Sequence, residues 1–368
     1  MSKQILLLFL NIFSINLALS QSLDRVIIDS NITNNEIAFQ DSINILNQQN
    51  ELFVMSRKAF NDALELFKNQ NFDLAIINFS NAINIDSTFS QAYFYRAKCY
   101  ENSDNNLAIL DYQMAFSFDS TNFSSLYAIA DIQSISNINA AIKTYNSIIS
   151  CSNKESRAYY EIGVLFYLQE NFQDAITYFT NSLSHSKDAR TFNDRASCYR
   201  LLENYDLAIK DYISAIALNT DLAFIYNNLA STYRKQADSL KALSYYSLAI
   251  SKDTNYAIAY NNRGSLYLEL DDIENAMNDI NKAILLDDNY APAYNNKGVI
   301  YHQKKQYSDA LSCFDKGILL NNNYGKAYLN RGITRQMLRD EDGACSDWIR
   351  AEELGINLAK KYLANDCY

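Results

Sequence analysis

Two stretches of the same length decide the fold of this chain. They read YNNRGSLYLELDDIENAMNDINKAI at residues 260–284 and YNNKGVIYHQKKQYSDALSCFDKGI at residues 294–318. Each begins with an aromatic residue, has a glycine four residues later and a second aromatic residue three positions after that glycine. Offsets of three, four and seven residues place side chains on one face of a helix. The two stretches therefore indicate an internal repeat that is built from amphipathic helices.

The same period extends through most of the chain. A small residue recurs every 33 or 34 residues, and a second small residue follows each of them after 11 or 12 residues. Aromatic residues recur on both sides of these positions, so each copy is predicted to be a helical hairpin whose axes approach closely at the small residues. One hairpin cannot bury its apolar face alone, so neighbouring copies must stack. The nine copies span 57–354, and their small residues are Ala63 and Ala75, Ala97 and Ala108, Ala130 and Ala141, Gly163 and Ala175, Ala196 and Ala208, Ala230 and Ala242, Gly264 and Ala276, Gly298 and Ala310, and Gly332 and Ala344.

The composition agrees with a helical array and argues against several other classes of protein. The 368 residues include eight Gly and one Pro, too few for a fold with many strands and tight turns or for a collagen-like chain. Hydrophobic residues make up 48% of the chain, which argues against a disordered protein. The formal net charge is −10, whereas nucleic-acid binding needs clustered Lys and Arg, so we expect no nucleic acid among the partners.

The two quoted stretches resemble the tetratricopeptide repeat, and the nine copies extend this resemblance over about four-fifths of the chain. The resemblance implies an all-α fold, a right-handed α-solenoid of about nine helical hairpins with a C-terminal capping helix. The chain departs from the family where Pro commonly ends the second helix, because Ser, Thr, Asp or Asn stands there and can cap the next helix. We therefore expect the array over 57–354 and a capping helix with the C-terminal tail over 355–368.

The amino-terminal residues have the pattern of a secretory signal peptide. Lys3 gives a positive start, the stretch 5–19 is largely apolar, and small residues stand three and one before Gln21. We therefore expect 1–20 to be a signal peptide and the protein to be exported, either periplasmic or secreted. The alternative is a buried amino-terminal helix.

The segment that follows is polar and joins the expected signal peptide to the array. Residues 21–56 are rich in Asn, and we expect a linker over 29–35 and a helix over 36–55. No later stretch approaches the 18 or more apolar residues that a membrane-spanning helix needs. We therefore expect no membrane span once the signal peptide is removed.

Charged residues recur in a matched way in four of the nine copies. These copies have an Arg just before the first small residue and an Asp three residues after the second, and the other five copies have neither. A half-buried Arg needs a carboxylate, and loss of either partner leaves the other unpaired. The pattern predicts salt bridges between the two helices of one hairpin, with coincidence as the alternative. The pairs are Arg96–Asp111, Arg195–Asp211, Arg263–Asp279 and Arg331–Asp347.

The first helix of each stacked hairpin is expected to line a concave groove, and its inward residues are candidates for binding a partner. Asn recurs two residues before the small position, and Asn both donates and accepts hydrogen bonds, so such a ladder can hold an extended peptide backbone. Similar Asn ladders serve that role in some members of the family. The alternative is that Asn is simply common in this chain. The candidates are Asn228, Asn262, Asn296 and Asn330, continued by Asp194, together with Tyr167, Arg200, Arg234 and His302 four residues after the small position.

Catalysis and cofactor binding find little support in the sequence. The chain has two His, and neither has the carboxylate or His spacing of a zinc site. Glycine-rich phosphate loops and the GxSxG turn of hydrolases are absent from the sequence. We expect no catalytic residues, no metal and no cofactor.

Two of the six Cys lie near the carboxyl end. The last copy reads GACSDWIRAEELG at residues 343–355, and it resembles the closing segment of exported bacterial tetratricopeptide proteins, in which a Cys of the last second helix accompanies one after a short cap helix. This resemblance implies a disulfide between Cys345 and Cys367, which export would permit. The alternative is two free thiols.

These observations lead to three hypotheses for the function. The first is a non-catalytic scaffold outside the cytoplasm that binds a peptide or a partner protein in the groove. The second is a structural subunit of an envelope or secretion assembly that binds through its convex face or its amino-terminal segment. The third is a regulatory part of an enzyme system. The sequence predicts neither the identity of the partner nor the oligomeric state.

Overall fold

The computed structural model of the protein describes residues 30–152 and 155–367, and the expected signal peptide lies outside these ranges. All regular structure in the described residues is helical, in nineteen helices named α1 to α19. The predicted fold class, an all-α solenoid of helical hairpins, is confirmed. The helices form two compact units, residues 30–132 and 133–367, with the boundary inside α5. No described helix has both the length and the apolar character needed to cross a membrane.

The first unit contains two hairpins and the greater part of α5. In each hairpin the two helices pack against each other, and the second helix of the first hairpin packs against the first helix of the next. The core of the first hairpin contains Phe60, Phe79 and Phe89, with ring centroids 4.8–5.6 Å from Phe60. The helices are α1 (Ser30–Lys68), α2 (Phe72–Ile85), α3 (Ser90–Tyr100), α4 (Asn105–Phe118) and α5 (Phe123–Ser136).

Helix α1 is longer than the sequence predicted. It begins at Ser30, inside the expected linker over 29–35, and continues without a break to Lys68. The amino-terminal segment contains no Gly or Pro that could end a helix. The last turns of α1 pack against α2, and a helix that is fixed at one end extends at low cost. The described part of the amino-terminal segment is therefore continuous with the first repeat.

The second unit contains six further hairpins, from α7 to α18. The second helix of each hairpin packs against the first helix of the next, and successive first helices also contact one another. The helices are α6 (Ile138–Cys151), α7 (Ser156–Leu168), α8 (Phe172–His185), α9 (Ala189–Leu201), α10 (Tyr205–Leu218), α11 (Ala223–Lys235), α12 (Ser239–Lys252), α13 (Ala257–Glu269), α14 (Ile273–Leu286), α15 (Ala291–Gln303), α16 (Tyr307–Leu320), α17 (Gly325–Met337), α18 (Glu341–Glu353) and α19 (Ala359–Asp366).

Where the small residue of a first helix is Gly, it faces a large side chain on the second helix of its hairpin. A Cβ atom on Gly298 would lie 2.5 Å from a ring carbon of Phe314, and one on Gly332 would lie 2.5 Å from Trp348 Nε1. Phe314 is fully buried and Trp348 is 1% exposed, so neither ring has room to move away. Glycine at these positions allows the two helices to cross closely, as the period of small residues predicted.

The turn between the two helices of a hairpin uses a left-handed residue in most copies. Glycine usually occupies this position because it has no Cβ atom, but here it is occupied by other residues with φ between 59° and 63°. This explains how a chain with eight Gly can make so many hairpins. The residues are Gln70, Glu170, Glu203, Ala237, Asp271, Lys305 and Arg339.

Helix α19 covers the end of the last hairpin. Leu363 is 3% exposed and packs in one cluster with Trp348, and the Tyr362 ring stacks on Trp348 with centroids 4.9 Å apart. Cys345 and Cys367 form a disulfide in the structure, with their Cα atoms 5.8 Å apart. The capping helix is thus held by apolar packing and by one covalent bond.

Candidate binding groove

The four predicted Arg–Asp pairs are all present, each between the two helices of one hairpin. In the α13/α14 hairpin, Arg263 Nε lies 2.7 Å from Asp279 Oδ2 and Nη2 lies 2.8 Å from Oδ1, so the contact is bidentate. The four carboxylates are between 2% and 7% exposed, and the hydrogen bond to Asp279 raises the pKa of Arg263. The shortest N···O distances are 2.7 Å for Arg96–Asp111, Arg195–Asp211 and Arg263–Asp279, and 2.6 Å for Arg331–Asp347.

Each of these arginines also reaches the preceding hairpin. Arg263 Nη1 donates to Ser247 Oγ on α12 at 2.9 Å, so one guanidinium both closes its own hairpin and fixes the stacking. The spacing within one hairpin does not predict this contact, although a Ser, Thr or Asp stands 15 or 16 residues before each Arg. These arginines therefore have a structural role, and they are poor candidates for binding a partner. The four acceptors are Ser80, Thr180, Ser247 and Asp315.

The candidate binding groove is the surface formed by the first helices of the second unit. Helices α7, α9, α11, α13, α15 and α17 contact one another in succession, so equivalent positions on neighbouring helices lie side by side. All nine residues predicted to bind a partner lie on these six helices.

The Asn ladder of the groove is a series of hydrogen bonds between neighbouring first helices. Asn262 Nδ2 donates to Asn227 Oδ1 at 3.0 Å, and Asn296 Nδ2 donates to Asn261 Oδ1 at 2.9 Å. The acceptors are at most 6% exposed, whereas the donors are half-buried. The ladder therefore joins the repeats to one another as well as lining the groove. The other two bonds run from Asn228 to Asn193 and from Asn330 to Asn295.

Asp194 continues the ladder on α9 in place of an Asn. Its carboxylate accepts hydrogen bonds from Tyr160 Oη at 2.8 Å and from Asn193 Nδ2 at 2.9 Å. Burial raises the pKa of Asp194, and these two hydrogen bonds oppose that shift. Because Tyr160 lies on α7, the carboxylate joins α7 to α9 as the Asn pairs join the later helices.

Two pockets open on the groove, and together they contain seven of the nine predicted residues. The first has a volume of about 430 Å³, and the second a volume of about 590 Å³. Arg200 lines both pockets. The other predicted residues are Tyr167, Asp194 and Asn228 in the first pocket and Arg234, Asn262 and Asn296 in the second.

Two predicted residues, Arg234 and His302, make contacts with the next repeat. Arg234 Nε donates to Glu269 Oε2 at 2.9 Å, so its charge is compensated within the groove. His302 Nδ1 lies 2.9 Å from Thr334 Oγ1, and burial lowers the pKa of His302. His302 and Asn330 line neither of the two pockets. Across residues 30–152 and 155–367, no group of His, Cys, Asp and Glu is arranged to hold a metal ion.

Comparisons with known proteins agree with this geometry. Models of the tetratricopeptide repeat match residues 189–222, 225–255, 257–290 and 291–324. No curated protein matches the sequence. The structure resembles the APC/C hetero-tetramer Cut9-Hcn1, with a TM-score of 0.56 and 14% identity, covering 85% of this chain and 76% of that chain. It also resembles a tetratricopeptide repeat protein from Parabacteroides merdae, with a TM-score of 0.54 and 18% identity, covering 67% of this chain and 98% of that chain.

The two structural matches have low sequence identity, so they concern the fold alone. The family models match the hairpins from α9 to α16, which contain three of the four Asn–Asn hydrogen bonds of the ladder. Proteins with these repeats bind protein partners, and the repeats point to an interaction scaffold. The repeat models and the hairpin geometry lead to one conclusion, that the chain is a tetratricopeptide repeat protein.

Proposed function

We propose that the protein is a scaffold that holds an extended segment of a partner protein along the groove of its second unit. The observation that carries this proposal is the series of half-buried amides on successive first helices, beside two open pockets. The tetratricopeptide fold is typically a non-catalytic scaffold, so a binding role suits it better than catalysis. Regulation of an enzyme would be one use of such binding.

The ladder amides keep hydrogen-bonding capacity for a peptide. An Asn amide carries two N–H donors and one carbonyl oxygen, and Asn262 and Asn296 each give one N–H to the neighbouring repeat. Packed helices lie about 8–10 Å apart, which is roughly the length of three extended residues at about 3.3 Å each. Successive ladder amides can therefore contact about every third residue of an extended backbone.

The pockets provide space for side chains of mixed character. The second pocket contains Arg234 and Lys326 together with Glu269, and the first contains both Asp194 and Arg200. A polyanion such as nucleic acid would meet carboxylates in both pockets, whereas a peptide can place a different side chain in each. The charges of the groove thus favour a peptide over a polyanion.

The structure allows a test that separates binding from stability. Asn262→Ala with Asn296→Ala removes two ladder amides from the groove, but it also removes two hydrogen bonds between repeats. Asn227→Ala with Asn261→Ala removes the same two hydrogen bonds from their buried side and leaves the amides of Asn262 and Asn296 in place. This second double variant is therefore the matched control.

The probe is a set of octapeptides selected against the wild-type mature chain from a random phage-displayed library, with affinities measured by fluorescence anisotropy. We expect the first double variant to bind them at least about 10-fold more weakly than the control, a difference of about 1.4 kcal/mol. Equal affinities of the two double variants, or failure of the wild-type chain to select any peptide, would overturn the groove proposal.

We also propose that this binding occurs outside the cytoplasm, in the periplasm or after secretion. Support comes from the signal-like pattern of 1–20 and from the Cys345–Cys367 disulfide, because disulfides persist mainly in oxidising compartments. The test is mass spectrometry of the protein from the exported fraction of producing cells. A mature chain that begins at Gln21 is expected, whereas a full-length chain confined to the cytoplasm would contradict the proposal.

A second candidate function is assembly through the amino-terminal part of α1. Phe39, Leu46 and Phe53 are each at least 40% exposed, and with Ile43 and Asn50 between them they follow heptad spacing. The positions beside this stripe are Gln, Ser, Asn and Val, so two copies can approach without repulsion of like charges. A single Asn within such a stripe specifies the register of a parallel pair. The stripe therefore favours pairing with a second copy of the chain.

This candidate is tested by the molar mass of the mature chain in solution, measured by light scattering across a range of concentrations. We expect a dimer that Phe39→Ser with Leu46→Ser converts to a monomer. Ile135→Ser with Leu240→Ser is the control, because both residues are more than 80% exposed elsewhere in the molecule. A wild-type monomer at all concentrations would exclude pairing through α1.

A further inference from the structure

Arg200 differs from the other groove residues because part of its guanidinium is buried without a partner. It lies at the end of α9 and lines both pockets of the groove. Its Nε atom is inaccessible to solvent and makes no hydrogen bond. A buried N–H group that is left unpaired costs free energy, so the contacts within the protein leave the hydrogen-bonding capacity of this guanidinium incompletely used.

Arg200 lacks the carboxylate partner that the equivalent arginine of the next repeat has. One repeat later, Arg234 binds Glu269, which lies 35 residues after it in the chain. The residue 35 positions after Arg200 is Lys235, a second cation. Among the described residues, no carboxylate oxygen lies within the 4.0 Å range of a salt bridge to the Arg200 guanidinium.

Two tyrosine hydroxyls, those of Tyr167 and Tyr212, lie near Arg200. Burial raises the pKa of Tyr167 and Tyr212, and the positive charge of Arg200 opposes this shift in both residues. The hydroxyl of Tyr212 lies 3.0 Å from Ser197 Oγ, so these groups partly satisfy one another. These hydroxyls do not neutralise the charge of Arg200, which lines the groove without a carboxylate in an ion pair with it.

We propose that Arg200 binds the carboxylate of an Asp or Glu side chain on the peptide that occupies the groove. This inference rests on the groove function proposed above. A planar guanidinium holds a carboxylate through two parallel N–H···O bonds, and Arg200 lines both pockets of the groove. Val164 and Leu168 line the same pocket and pack against the methylene groups of the acidic residue.

Asp194 limits the site to one negative charge. It lies six residues before Arg200 on α9, roughly 9 Å along the helix axis, and it lines the same pocket. A second acidic group, or a phosphate with two negative charges, would approach this carboxylate and be repelled. The pocket therefore selects a single carboxylate that is flanked by neutral residues.

The first test measures this preference with the selected octapeptides. In each of them, every Asp or Glu is replaced in turn by Asn or Gln, and the affinity is measured by anisotropy. The wild-type protein is expected to lose at least about 10-fold in affinity at one position, about 1.4 kcal/mol. Arg200→Gln should remove this preference, whereas Arg350→Gln, an equal change of charge on α18 outside both pockets, should keep it. A preference that survives in Arg200→Gln would overturn the inference, as would tighter binding of a phosphoserine at that position.

The second test does not depend on peptide binding in the groove. The ¹⁵N-labelled Arg side chains of the mature protein are observed by NMR during titration with N-acetyl-glutamate N-methylamide. The Arg200 Nε–H resonance, assigned by its absence in Arg200→Gln, is expected to shift and saturate, and the glutamine analogue should leave it unchanged. An Arg200 resonance that ignores the glutamate probe would overturn the site even if peptides bind elsewhere in the groove. A shift without any peptide binding would keep the site and reject the groove function.

Discussion

The Asp279 carboxylate is held by two nitrogen atoms of Arg263, at 2.7 and 2.8 Å, in a position where it is only 7% exposed. One repeat earlier, Leu229 stands at the position equivalent to Arg263, and Tyr245 stands at the position equivalent to Asp279. Leu229 is fully buried, and Tyr245 packs against the cluster that contains it. The array therefore contains two solutions to one packing problem, one ionic and one apolar. In both, the residue on the first helix and the residue on the second helix change together.

Removing only one member of the ionic pair should be costly. Arg263→Leu leaves the Asp279 carboxylate buried and unpaired, which typically costs about 3–5 kcal/mol in the free energy of unfolding. Arg263→Leu combined with Asp279→Tyr recreates the apolar solution of the preceding repeat and should recover most of that loss. Urea denaturation followed by circular dichroism gives both values. A double variant that is as unstable as the single variant would show that the two solutions are not interchangeable.

The helix crossing at Gly298 predicts a loss of stability from a single methyl group. Gly298→Ala would place Cβ 2.5 Å from the Phe314 ring, and the fully buried ring cannot move without disturbing its neighbours. Such overpacking typically costs about 1–3 kcal/mol. The expected result is a lower midpoint of thermal unfolding for Gly298→Ala.

Gly317, in the same hairpin, is the matched control. A Cβ atom there would lie 3.4 Å from the nearest atom, the carbonyl oxygen of Ala291, and six other repeats have Ala at this position. Ala also favours the helix over Gly by about 0.5–1 kcal/mol. Gly317→Ala should therefore raise the midpoint of unfolding. A similar loss in both variants would mean that the space around the Gly298 crossing does not explain its effect.

At the left-handed turn residues, substitution by glycine is expected to stabilise the protein. Ala237 has φ of 61°, which places its Cβ atom in a conformation that costs about 1–2 kcal/mol for residues other than Gly. Ala237→Gly removes that cost, so we expect a gain of about 1 kcal/mol after the greater entropy of Gly in the unfolded chain is considered. Ala364→Gly, on helix α19, is the control and should not stabilise the protein. Calorimetric unfolding of both variants decides the sign.

The period of the sequence predicted those features that repeat within one hairpin. Ala and Gly at the crossings, and the matched Arg and Asp, are set by spacings of 11 to 16 residues that can be read directly from the chain. Contacts between hairpins were harder to predict because they depend on how neighbouring helices slide against each other. The third contact of Arg263 with Ser247 and the bond from Asn262 to Asn227 both belong to this class.

The same reason explains why the sequence alone did not show that Arg200 lacks a carboxylate partner. Its position marked it as a groove residue, but only the pairing of Arg234 with Glu269 shows which residue could have neutralised it. Once that offset of 35 residues is known, Lys235 shows that Arg200 has a cation at the position where Arg234 has its carboxylate partner. The extension of α1 to Ser30 was missed for another reason, since a polar stretch without Gly or Pro has a weak preference of its own and follows the packed helix beside it.

The disulfide predicts that reduction weakens the carboxyl-terminal cap. The Cys345–Cys367 bond closes a loop with a sequence separation of 22 residues, and a loop of this size is worth about 3 kcal/mol in the chain-entropy model. Cys367→Ser should lower the midpoint of thermal unfolding to the value that wild type shows in reductant, whereas Cys151→Ser should have no effect because Cys151 is exposed and free. Reductant should leave the Cys367→Ser variant unchanged. A wild-type midpoint that is insensitive to reductant would show that apolar packing alone holds α19.

His302 predicts how the stability of the array depends on pH. Burial lowers the pKa of His302 below its ordinary value of 6.5, so the folded protein favours the neutral ring, whose Nδ1 lies 2.9 Å from Thr334 Oγ1. The unfolded chain takes up the proton first as the pH falls, so the stability contributed by His302 is complete above about pH 6.5 and is lost as the pH falls towards the lower pKa of the folded state. Two proteins are compared: a reference that carries His185→Asn, and a variant that carries both His185→Asn and His302→Asn. Because the chain has two His, the reference and the variant then differ only in His302. Urea midpoints at pH 7.5, 6.5 and 5.5 should fall more steeply for the reference than for the variant that lacks His302. Parallel pH profiles would show that the ring is equally easy to protonate in the folded and unfolded states.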